Sequence, residues 1–95
     1  MKFKNEFNYI CALRGATTSD HNSVESISLA VEELLSELVS RNNLIPDQII
    51  SLTFSVTSDL DACFPASIAR KKSGWENIAL LDSQQMFVKG DVSKC

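Results

Sequence analysis

Ninety-five residues make one domain, near the lower limit of what buries an adequate core alone. Hydrophobic residues at 44% and charged residues at 22% are ordinary for a globular chain and argue against disorder. A formal net charge of −3 argues against general binding to nucleic acid or to an anionic membrane, both of which call for a basic surface.

The N-terminal stretch MKFKNEFNYICALRG has two lysines, but its apolar run is too short and interrupted for a signal peptide. No run approaches the roughly 20 apolar residues of a membrane span. Residues 7–13, FNYICAL, are dense in apolar and aromatic side chains and read as a first strand, with Cys11 a small buried hydrophobe. Gly15 breaks that strand and ATTSDHNS reads as a loop. Asn22 with Glu25 three positions on resembles a capping box. Val24, Ile27, Val31, Leu34, Leu35 and Leu38 then recur at helical spacing, which predicts an amphipathic helix over residues 23–41. Pro46 and Asp47 suit one further turn.

Residues 49–56, IISLTFSV, alternate strictly. Ile50, Leu52, Phe54 and Val56 are expected inside, with Ser51, Thr53 and Ser55 outside. After the polar turn TSDLDA, Pro65 opens a second helix, Lys71 and Lys72 suit its last turn, and Gly74 suits the residue beyond it. IALL, residues 78–81, reads as a third strand, and QQMFV, residues 84–88, as its continuation or a fourth. Gly90 and Asp91 mark a turn. The order β-α-β-α-β(β) predicts an α+β domain, a mixed sheet with helices on one face. Its core is thin for a domain standing alone, so the chain is expected to associate.

Chemistry-bearing candidates are few. Cys11, Cys63 and Cys95 are an odd set without a CxxC pair, and the single histidine, His21, is far from all three. That argues against a zinc site or a disulfide framework, and free thiols fit a reducing cytoplasm. Asp20–His21 lacks the context of a catalytic triad. Asp59 and Asp61 read as turn residues, and the glycines form no phosphate-binding loop. Trp75 reads as packing at a helix–strand joint, and Arg70, Lys71 and Lys72 as a charged helix end. Neither nucleophile, metal cage nor acid–base pair stands out.

The ordered set RGATT…TxDLxAxFPAxxxR…SGW…QxM, from Leu13 to Met86, resembles the monofunctional AroH-class chorismate mutases. The resemblance implies conversion of chorismate to prephenate by a unimolecular Claisen rearrangement, without a cofactor, in phenylalanine and tyrosine synthesis. It also implies a cytoplasmic homotrimer with active sites between subunits. Such chemistry calls for arginines that clamp a dianion and stabilise charge on the breaking ether oxygen. Carried over by motif, Arg14 binds a substrate carboxylate, Phe64 and Ala66 form a wall given by the adjacent subunit, and Arg70 is the cation of that helix. Leu80, Leu81, Asp82, Ser83, Gln84 and Gln85 line the pocket.

The sequence departs from the family pattern at three positions. Gln85 stands where many members have a glutamate, Asp82 where they often have a cysteine, and Ser67 where a lysine is common. Asp82 is therefore expected to supply the carboxylate that Gln85 lacks. After the equivalent of Lys94–Cys95 the family pattern continues into a strand with a further arginine, so a natural product longer than 95 residues is expected. The alternative reading is a non-catalytic binder of small dicarboxylates, or an assembly module, on the same trimeric scaffold.

Overall fold

A computed structural model of the chain describes residues 10–95. Helix α1, Val24–Asn42, forms where the apolar spacing predicts it, and Ile27, Val31 and Leu35 are its buried stripe. Ser23, not Asn22, is the N-cap: its backbone is extended and its hydroxyl accepts from the Ser26 N–H at 3.1 Å. Asn22 is committed elsewhere, as shown below. Val24 overhangs in the first turn and is exposed. Asn43 closes the helix in the left-handed conformation, with its N–H on the Val39 carbonyl.

Pro46–Gln48 form a single 3-10 turn, as the proline suggests. Strand β1, Ser51–Val56, follows, shorter than expected because Ile49 and Ile50 precede the ladder, and Ile50 is exposed. Helix α2, Pro65–Arg70, starts at its proline but ends before Lys71 and Lys72, which lie in the following turn. Gly74 turns the chain at φ 86°, a conformation that favours glycine. Strand β2, Ala79–Gln84, runs parallel to β1, with Phe54 opposite Asp82 and Val56 opposite Gln84. A parallel pair needs a long crossover, and α2 lies in it.

The class is α+β, as expected, and the sheet of the described residues has two parallel strands rather than a mixed set. The expected first strand lies partly outside the described residues. Its remaining part, residues 10–13, forms no ladder, so Cys11 is exposed rather than buried. Residues 85–88 form no fourth strand either. Helix α2 packs on α1 and on both strands. The core joins Ile27, Val31 and Leu35 to Phe54, Ala69, Trp75 and Ile78. Trp75 is only 3% exposed, in keeping with its expected packing role, and Lys72 Nζ lies 5.9 Å from its ring centroid. On the opposite face of the sheet Thr53, Leu81 and Ser83 remain exposed.

Candidate active site

The turn before α2 and the strand β2 meet at one carboxylate. Phe64 is the N-cap of α2 and provides no side-chain cap, while Pro65 has no N–H to satisfy. The Ser67 N–H and hydroxyl both donate to the Phe64 carbonyl, at 3.0 and 2.7 Å. The Ala66 N–H donates across to Asp82 Oδ1 at 3.0 Å. Asp82 is half-buried, on the same face of the sheet as Phe54. Its expected role was to offer a carboxylate to substrate, but one oxygen is already bound to the helix. Burial, and then the charge of Asp82, push the neighbouring Cys63 thiol above its ordinary range. Phe64 is 71% exposed, a large apolar ring beside this junction.

Along β2, Leu80 is half-buried and Leu81 exposed. Ser83 donates from its hydroxyl to the Phe54 carbonyl at 3.2 Å, and Gln84 ends the strand. Gln85 extends the ladder by one bond, from its N–H to the Val56 carbonyl at 2.7 Å. Its side-chain Nε2 donates to Asp91 Oδ2 at 3.2 Å. Gln85 and Asp91 line a concavity with Thr57, Asp59 and Met86.

Beside this concavity lies a network that the sequence did not reveal. The Thr57 N–H donates to the Cys95 carbonyl at 2.9 Å, and the Cys95 N–H donates to Thr57 Oγ1 at 3.0 Å. The Thr57 hydroxyl donates to Asp59 Oδ1, and the Lys94 N–H to Asp59 Oδ2 at 2.9 Å. The Thr57 bond, with help from Lys94, holds the Asp59 carboxyl below its ordinary value of 3.8. The Ser19 N–H completes the set by donating to the Lys94 carbonyl. Asn22 makes a second unforeseen lock. Its Oδ1 accepts from the N–H groups of Asp61 and Ala62, both at 3.0 Å, and its Nδ2 donates to Asp61 Oδ1. The TSD spacing carried a signal for the first network, since hydroxyl and carboxylate two residues apart form local turns. Nothing local marked Asn22.

The two candidate arginines, Arg14 and Arg70, join none of these hydrogen bonds. Arg14 is exposed on a segment lying against α1, where a Cβ on Gly15 would come within 2.8 Å of Leu34 Cδ1. Arg70, at the end of α2, is exposed and donates from Nη1 to the Glu76 carbonyl at 3.0 Å. Among the described residues the one ion pair is Arg41–Glu37, so both guanidiniums keep their charge unpaired there. Asp82, Ala66 and Phe64 therefore form one group, Gln85 another, and no hydrogen bond of the described residues joins Arg14 to either. Among the same residues no cluster of histidine, cysteine and carboxylate could hold a metal, and no helix is long and apolar enough to cross a membrane.

Fold and site together define a small α+β domain whose candidate residues are arginines, amides and a helix-bound carboxylate. Residues 10–95 match the family model for chorismate mutase type I. The chain is 35% identical over 86 residues to chorismate mutase AroH of Bacillus subtilis (strain 168), covering 90% of this chain and 68% of that one. It is 31% identical over 83 residues to chorismate mutase AroH of Thermus thermophilus, covering 86% and 67%. The solved structure of chorismate mutase from Clostridium thermocellum Cth-682 superposes with a TM-score of 0.77 at 41% identity, covering 82% of this chain and 69% of that chain. The chain belongs to the chorismate mutase type I family.

Proposed function

We propose that the protein converts chorismate to prephenate, in the supply of phenylalanine and tyrosine. The observation that carries this reading is the family match over residues 10–95, which includes Arg14, Arg70 and the whole of α2 and β2. The rearrangement breaks one C–O bond and forms one C–C bond within a single molecule, with no proton, hydride or covalent adduct. Its catalyst must fold a dianion into a compact shape and stabilise the oxygen that gains charge. A site without nucleophile or acid–base pair suits that task.

In this reading Arg14 grips a substrate carboxylate through its planar fork. Phe64 and Ala66 wall the pocket, Arg70 contributes positive field, and Leu80, Leu81, Ser83, Gln84 and Gln85 line it. The Gln85 Nε2 is held by Asp91, which leaves Oε1 to accept from the ring hydroxyl. The chain acts as a homotrimer in the cytoplasm, with Arg14 of one subunit facing α2 of the next. The exposure of Arg14 and of Phe64 supports that arrangement.

The test is loss of chorismate absorbance with appearance of prephenate. Arg14→Ala is expected to lower kcat/KM by about 10²–10³ while leaving the far-ultraviolet circular dichroism unchanged. Saturable binding of a cyclic dicarboxylate with no turnover by the unmutated protein would overturn the enzymatic reading. Sedimentation at three times the protomer mass, retained by Arg14→Ala, is the expected state of assembly.

A further inference from the structure

The hydrogen bonds at the start of α2 leave one donor dependent on another element. Pro65 has no N–H, Ser67 is satisfied by Phe64, and no side chain of the turn caps the helix. The Ala66 N–H is satisfied by Asp82 Oδ1, 16 residues away in sequence and on β2. Asp82 in turn is half-buried and shares a face of the sheet with Phe54. The donor therefore has its partner only because β2 brings this oxygen to the start of α2. Beside them the Ser83 hydroxyl fastens β2 to the Phe54 carbonyl, so the strand that carries the acceptor is itself fixed.

We infer that Asp82 is a positioning residue, a strut from β2 that sets where α2 begins and hence where Phe64 and Arg70 stand. Its carboxylate acts on the helix and not on a bound molecule. What the strut means for turnover rests on the chorismate mutase reading. That it holds the helix does not.

The experiment compares Asp82→Asn with Asp82→Ala in the full chain. Asparagine keeps an oxygen at the same place and loses the charge, while alanine loses both. Amide hydrogen exchange at Ala66 and chorismate turnover are measured on each. Asp82→Ala is expected to speed exchange at Ala66 by about fivefold or more and to lower kcat/KM at least tenfold. Asp82→Asn is expected to restore both to within about threefold of the unmutated protein. Turnover as poor in Asp82→Asn as in Asp82→Ala, with Ala66 still protected, would show that the charge serves the substrate and overturn the strut. Unchanged exchange at Ala66 in Asp82→Ala would overturn it as well. If Asp82→Ala does not fold, Asp82→Asn alone decides by the same two readings. If the unmutated protein proves inactive, the functional reading fails while exchange at Ala66 still judges the strut.

Discussion

Asp59 shows how an exposed side chain can matter through its partners rather than through burial. Its two carboxylate oxygens take the Thr57 hydroxyl and the Lys94 N–H, and both bonds favour the ionised form. The folded protein therefore holds this proton more weakly than the unfolded chain does. The contribution is complete above the ordinary value of 3.8, and is lost as the pH falls below it through the lowered folded value. We expect the Lys94 amide resonance to stay constant above that range and to move only below it. In Asp59→Asn the acid shift should disappear. Single residues were unevenly legible. Trp75 announced its burial by size and position, whereas Cys11 was judged by a ladder that residues 10–13 do not form.

At the level of elements, the period of the apolar residues carried most of the information. It placed α1 to within one residue at either end because a buried stripe of Ile27, Val31 and Leu35 leaves the helix little freedom. For β2 it gave residues 78–81, with 84–88 as a continuation or a fourth strand, whereas the ladder runs unbroken over Ala79–Gln84. Backbone pairing with Phe54, Ser55 and Val56 extends a strand whatever its side chains are. Caps were harder still. Asn22 and Ser23 are both good N-caps, and what separates them is that Asn22 is claimed by a loop 39 and 40 residues away. Sequence alone holds no trace of that claim. Ser23→Ala removes the bond to the Ser26 N–H and should destabilise the fold by about 1 kcal/mol in urea titration, with Asn22→Ala acting instead through the loop before α2. The candidate site followed the same rule. Which residues belong to it came from motif resemblance, while the pairing of Asp82 with Ala66 needed the third dimension.

For the whole molecule, the buried core is one stripe of α1, one ring of β1 and the residues around Trp75. Phe64, Leu81, Met86 and Phe87 stay exposed. That surface and the proposed trimer are two sides of the same expectation, and a concentration-dependent melting temperature would express both. The lacing of Ser19, Thr57 and Asp59 to Lys94 and Cys95 has a kinetic corollary. These bonds join stretches distant along the polypeptide, so closing them carries the largest entropic toll and defers them to the last stage of refolding. Helix α1 and its turn can settle within microseconds. The lip of the concavity beside Gln85 waits for Lys94 and Cys95 to dock against Thr57 and Asp59.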